Sequence, residues 1–287
     1  MSKQEVTVEK DPTKVISFIN MKGGVGKTTL CINIAYTLER VFSKKVLIVD
    51  MDPQFNASQS LFEKFKNYGY YLEKKKRKET VKYLFDQDIS LVYGGNTAST
   101  ETKINPIEEL TPNLHIIAGD LDMVRLESSE RGTENLLKVY IQNLLKNVDY
   151  DYILIDCPPT YSFYTTASLI ASDLYFVPIK PDIYSALGID LLRFVINRVD
   201  TLHGASAKQL GTIFTVVQDI PTVNKTINDI IKSEPDFNYF QNRMTEFKYV
   251  PNGSISTFLY DMSTTRAEIT SITNEFIQEV AKCPKTT

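Results

Sequence analysis

Positions 20–29 read Asn20-Met21-Lys22-Gly23-Gly24-Val25-Gly26-Lys27-Thr28-Thr29. Glycines at 23, 24 and 26 let a backbone turn tightly, so that successive N–H groups face one point with no Cβ atoms in the way. Lysines and hydroxyls at the same place suit a polyphosphate with its divalent cation. The expectation is a phosphate-binding loop made by Lys22, Gly23, Gly24, Val25, Gly26, Lys27, Thr28 and Thr29. In it Lys27 bridges the β- and γ-phosphates of ATP and the Thr28 hydroxyl ligates Mg2+. One departure stands out: G-x-x-x-x-G-K-[ST] needs glycine at position 21, where this chain has Met21 and then a second lysine, Lys22. Two carboxylate groups could complete the chemistry, Asp50 with Asp52, and Asp156. Each follows an apolar run, and an aspartate buried at such a strand end needs a metal or lysine partner, because an unpaired buried charge costs several kcal/mol.

The elements around these residues have the required order. Residues 15–20 (VISFIN) form a short β-branched run, helical spacing begins at Lys27, and 45–50 (KVLIVD) is again continuously apolar. Strand, glycine turn, helix and strand within about 35 residues make a βαβ unit of a buried parallel sheet. Alternation continues with strands at 114–118, 152–156, 174–179 and 210–217, and helices at 133–145, 162–171 and 184–199. The pattern predicts an α/β fold, a P-loop NTPase with a doubly wound, mostly parallel sheet flanked by helices. Two stretches interrupt it: 62–82, with the basic run Lys74-Lys75-Lys76-Arg77-Lys78, and the polar 221–249. The run reads as a solvated helix or loop. Neither stretch has linker composition, so residues 1–287 read as one domain, with 1–13 a polar extension.

Composition narrows the function classes. Net charge is −3, so nucleic-acid contact needs a local basic patch rather than overall charge. Cys31, Cys157 and Cys283 are far apart, and only His115 and His203 could join them, so no metal-ligand spacing exists. Cys157 reads as a small buried residue rather than a nucleophile. The start lacks a secretory apolar region and no apolar run approaches the ~18 residues of a membrane span, so a cytoplasmic protein is expected.

K-G-G-x-G-K-T-T resembles the deviant Walker A signature of the ParA/MinD superfamily of ATPases. Asp50-Met51-Asp52-Pro53-Gln54 with Asn56 resembles its D-x-D-P-Q-x-N segment, and Tyr152-Ile153-Leu154-Ile155-Asp156-Cys157-Pro158-Pro159 its Walker B strand. Residues 113–122 look like the strand and turn that precede Walker B, and the resemblance is specific from about 15 to 188. It implies that Lys22 reaches the phosphates of a partner subunit's ATP, making a homodimer bridged by nucleotide. It assigns Asp52 to orienting the attacking water, Asp156 to holding Mg2+ through water, and Asp50 to Mg2+ or to backbone contacts. Gln54 and Asn56 are candidates for the partner contact, and Pro251 for the adenine.

Within the superfamily, an iron–sulfur member needs two cysteines at the dimer face, which these positions do not suit. A membrane-bound division ATPase ends in a basic amphipathic helix. Here the stripe Ile269, Ile272, Phe276, Ile277 and Val280 carries Glu268, Glu275 and Glu279 against only Arg266 and Lys282, so core packing is expected and stable membrane association is not. The resemblance is therefore to a short ParA-type DNA-partition ATPase without its own helix-turn-helix domain. It implies non-specific DNA binding by the ATP dimer, a nucleoid-associated location, and release by a ParB-type centromere-binding partner. The rival is a MinD-like ATPase that positions proteins on a membrane or scaffold. A metabolic ligase on the same fold is a third reading. Candidate DNA contacts are Arg193, Arg198, Lys208, Lys225, Lys232, Arg243 and Lys248, in a region where acids and bases balance.

Overall fold

The computed structural model describes residues 11–86, 105–128, 132–182, 184–205, 207–246 and 258–283. Among them seven strands form one sheet in the order β3-β4-β2-β5-β1-β6-β7. These are β1 (Lys14–Phe18), β2 (Val46–Asp50), β3 (Ile107–Glu109), β4 (Leu114–Ile117), β5 (Tyr152–Asp156), β6 (Leu174–Ile179) and β7 (Lys208–Phe214). All neighbours pair in parallel except β3, which is antiparallel on the β4 edge. β3 was not expected, because three residues carry too little periodicity to be read.

The central strands are buried on both sides, as their continuous Val, Ile and Leu content requires. Successive side chains alternate between faces. Ile16, Phe18, Val46, Ile48 and Leu154 pack under α1 (Lys27–Phe42), α2 (Asn56–Phe65) and the last helix. Val15, Leu47, Val49, Ile153 and Ile155 meet the helices of the other face. Two further helices, α3 (Tyr68–Lys76) and the one-turn α4 (Lys82–Phe85), fill the 62–82 stretch. Then come α5 (Leu136–Leu144), α6 (Phe163–Ala171), α7 (Ser185–His203), α8 (Pro221–Ser233) and α9 (Arg266–Lys282). The α9 stripe behaves as its acidic flank implied: Ile269, Ile272, Phe276 and Val280 are in the core.

The basic run differs from the expectation. Lys74 is only 1% exposed and sits 3.5 Å from both Glu79 and Glu108, while Lys75 binds Asp120 and Asp122, each at 2.9 Å. Arg77 pairs with Glu79 at 3.1 Å. Much of the positive charge is thus spent inside the fold, holding α3 to β3 and to the turn after β4. Only Lys76 and Lys78 stand in solvent without a described ion pair.

Strand order decides where chemistry can occur. β1 leads outward to β2 while its neighbour β5 leads past it to β6, so a crevice opens at their carboxyl ends. Register places Phe18 beside Asp156 and Asp156 beside Asp50. The phosphate loop, Asp156 and Asp50 therefore lie at one edge although they are up to about 130 residues apart in the chain.

Candidate active site

The loop after β1 turns through Gly24 and Gly26, with φ of +71° and +78°, in the left-handed region that favours glycine. At Gly23 and Gly24 an added Cβ would meet nothing within 4 Å, so this side of the loop is open. Gly26 is the N-cap of α1, and no side chain caps the helix, so its first-turn N–H groups and positive end point into the loop. From below, Thr215 donates its hydroxyl to the Val25 carbonyl at 2.6 Å, and Asn20 accepts from the Lys22 N–H at 2.9 Å. Asn33 in α1 donates to the Thr29 carbonyl at 2.8 Å and accepts from the Leu259 N–H at 2.7 Å, tying the loop's helix to the segment before α9.

Lys27 lies buried under the loop and donates to the Lys22 carbonyl at 3.1 Å. Burial lowers its ammonium below the ordinary lysine value, and the Asp156 charge opposes that shift. Asp156 is 0% exposed, and neither carboxylate oxygen has a hydrogen-bond partner. The Thr28 hydroxyl faces this carboxyl without completing a bond. Burial pushes the Asp156 carboxyl well above the usual range, Asp50 adds to the rise, and Thr28 and Lys27 oppose it. Asp50 differs, since its oxygens accept from the Ser58 N–H at 2.8 Å, the Ser58 hydroxyl at 2.7 Å and the Asp52 N–H at 3.3 Å. Burial still raises its carboxyl to about 7. That bonding favours the backbone-contact reading of Asp50 and leaves Asp156 as the carboxylate in need of a cation. No group of three or more ligating His, Cys, Asp or Glu side chains occurs among the described residues. A Mg2+ here would take one or two protein oxygens and complete its shell with phosphate and water, as that ion commonly does.

Asp52 is buried beside these groups, and its carboxylate accepts from the Gln54 N–H at 2.9 Å. Gln54 and Asn56 are exposed on the same turn. Lys22 is on the outer side of the loop, in an ion pair with Asp182 and 5.8 Å from the Tyr184 ring centroid. Burial tends to raise the Asp182 carboxyl, but Lys22 and the Tyr184 N–H bring it below the usual range. Asp182 carried no motif; its only sequence signal was a carboxylate just past an apolar strand, which Asp50 and Asp156 share. Ser58 had none. Cys157 is buried with its thiol pushed up to about 12, which fits the structural reading.

The described candidate DNA contacts are spread over several elements. Arg193 pairs with Glu234 at 2.6 Å and lies over Phe237, while Arg198 donates to the Tyr161 hydroxyl at 3.0 Å. Lys225 and Lys232 are exposed on α8, and Arg243 donates to Asn224 on that helix at 3.2 Å. Lys208 opens β7, at the strand-start end of the sheet and away from the loop. Lys248 and Pro251 lie outside the described residues.

This sheet, the glycine loop after its first strand and the aspartate closing β5 define a P-loop ATPase of the ParA/MinD type. A family model described as an AAA domain (AAA_31) matches residues 13–210, and the chain belongs to that family. It is 29% identical over 258 residues to the chromosome-partitioning ATPase Soj of Treponema pallidum, covering 86% of this chain and 90% of that one. A plasmid partition protein structure from Borrelia burgdorferi shares the fold with a TM-score of 0.65 at 23% identity, over 94% of this chain and 100% of that one. Cobyrinic acid a,c-diamide synthase from Mycobacterium smegmatis, solved with an ATP analogue and magnesium, shares it with a TM-score of 0.68 at 20% identity, over 96% and 98%.

Proposed function

We propose that the chain acts as one ParA-type ATPase domain. It holds Mg·ATP on residues 22–29, dimerises through that nucleotide, and binds DNA without sequence preference as the dimer. A ParB-type partner then stimulates hydrolysis and release, in a cytoplasmic, nucleoid-associated cycle.

The observation that carries the reading is Asp156, fully buried with two unpartnered oxygens beneath an open phosphate loop. Such a carboxyl must either keep its proton or have a cation beside it, and the loop is shaped to hold the polyphosphate that would bring one. Bound Mg2+ would neutralise charge on the transferred phosphoryl group. Lys27 and the first-turn N–H groups position the phosphates, Thr28 and Asp156 hold the cation, and Asp52 orients water. Support for the dimer comes from α7. Its first turn packs on the loop, since a Cβ at Gly188 would stand 3.9 Å from Lys22 Cβ. From there the exposed residues Tyr184, Leu187, Leu191, Phe194 and Leu202 run along the helix. Leu187 is 69% exposed, and an apolar stripe of this length marks a binding face. Lys22, at the head of that stripe, is where a second copy's phosphates would draw it off Asp182.

The membrane form of the MinD-like reading would use a basic amphipathic helix as anchor, and the apolar side of α9 is committed to the core. The scaffold form would instead show ATP-dependent binding to a protein with no affinity for DNA. Among the described residues no helix is long and apolar enough to cross a membrane. The deciding experiment is binding to a random-sequence duplex with Mg·ATP, Mg·ADP or no nucleotide across a salt series. Binding confined to ATP and weakened steeply by salt is expected, because phosphate contacts release counterions. Nucleotide binding without DNA binding in any condition would overturn the partition reading and leave the ATP site standing.

A further inference from the structure

Among the described residues other than glycine, Ser43, Phe55, Lys78 and Val216 have positive φ. Of these only Val216, at +53°, is β-branched, and that backbone tolerates a branched side chain least. It lies just past β7, where the hydrogen bonds show how it is held. Earlier on the strand the pairing is regular. Thr212 donates its N–H to Asn238 at 2.6 Å and accepts from Phe240 at 2.8 Å, so its two bonds straddle one residue, Tyr239. Met244 donates to the Phe214 carbonyl at 2.9 Å and accepts from the Val217 N–H at 3.1 Å, and these bonds straddle both Thr215 and Val216. One extra residue makes a bulge, and glycine is the usual occupant of a left-handed position there.

The bulge sits under the phosphate loop. Thr215 donates its N–H to the Ile179 carbonyl at 2.9 Å, which keeps it in the sheet, while its hydroxyl reaches the Val25 carbonyl. Val216 Cγ2 and Thr215 Cβ each lie 3.8 Å from where a Cβ on Gly26 would stand, and the Met244 methyl lies at 3.0 Å. Gly26, the N-cap of α1, therefore rests on a floor of three side chains, two of them carried by the bulge. A glycine at 216 would relieve the backbone and take away the branched methyl from that floor. Strain of this kind persists only where the surroundings impose it, and it gathers at functional sites.

We propose that Val216 is a positioning residue for the nucleotide: its branched side chain, held on a strained bulge, fixes the Val25–Gly26 corner of the phosphate loop. The free N–H groups of the first turn of α1 begin at that corner. Hydrogen bonds weaken steeply as they bend, so a corner that gives sideways misdirects these donors before any phosphate arrives. Thr215 secures the corner by one hydrogen bond, and Val216 stops it from settling toward the sheet. The effect on nucleotide rests on the ATP-site reading above; the strain does not.

The test compares Val216→Gly, Val216→Ala and Val216→Ile in the full chain, by thermal melting without nucleotide and by calorimetric titration with Mg·ATP. Glycine in a strand ordinarily costs stability relative to alanine, and strain at this position should reverse that order. Val216→Gly should melt above Val216→Ala by about 3 °C or more. Alanine melting level with glycine or above it overturns the strain. In the titration Val216→Gly and Val216→Ala should each bind Mg·ATP at least threefold more weakly than the wild type. Val216→Ile, which keeps the branched methyl, should stay within about twofold of it, a rescue that a general loss of packing would not give. A smaller loss in Val216→Gly, or an equal loss in Val216→Ile, overturns the positioning role. A wild-type chain that binds no Mg·ATP refutes the ATP-site reading instead, while the melting order still decides the strain.

Discussion

Replacing Asp156 by Asn should stabilise the nucleotide-free protein while removing its response to Mg·ATP. The carboxyl is fully buried, its oxygens accept no hydrogen bond, and no described cation lies within ion-pair distance. Leaving a buried polar group unpaired costs about 1–3 kcal/mol, and the cost rises when the group must carry charge. Burial holds its pKa above the ordinary value, so the folded chain binds this proton more tightly than the unfolded chain. Stability from that proton is present below the unfolded carboxylate pKa and is lost as pH rises through the folded one. The amide escapes this loss, so the gain should be about 2 kcal/mol near pH 8 and shrink towards pH 5. For a chain of this size that is roughly 4–8 °C in Tm, at about 2–4 °C per kcal/mol. Mg·ATP at about 100 times Kd should add about 2.7 kcal/mol to the wild type, and much less to the variant. Differential scanning fluorimetry at pH 5, 6.5 and 8, with and without Mg·ATP, reads both halves. A variant less stable than the wild type at pH 8, or one that gains equally from Mg·ATP, refutes the assignment of Asp156 as the residue awaiting a cation.

Lys22→Ala should keep nucleotide binding but lose the dimer formed with a non-hydrolysable ATP analogue, as read by light scattering. Its pair with Asp182 is partly exposed and is worth about 0.2–1 kcal/mol, so unfolding should hardly change. Gly26→Ala forces a side chain into φ +78° and against Met244 at 3.0 Å. It should cost about 1–2 kcal/mol and weaken ATP binding in equilibrium dialysis. Lys74→Ala leaves Glu108 with Lys66 and Tyr70 but removes a buried cation, so a loss of about 2–3 kcal/mol is expected in urea unfolding. Lys76→Ala, two residues on and exposed, should stay within about 0.5 kcal/mol of the wild type.

Local chemistry determined much of this protein in advance. The glycines at 23, 24 and 26 demand a tight turn, the runs 46–50 and 152–156 are too apolar to be anything but buried strands, and those facts announce the loop and Asp156. The acidic flank of 266–282 likewise foretold a core helix. Tertiary structure alone decided the rest, because burial and partnership depend on residues distant in the chain. Asp50 and Asp156 look alike in sequence; Ser58 satisfies one, and nothing described satisfies the other. Lys74 and Lys76 are two letters of one basic run, yet Glu79 and Glu108 claim the first while the second stays in water. Lys22 meets Asp182 only because β6 lies beside β1, and strand order, which no local periodicity records, put it there.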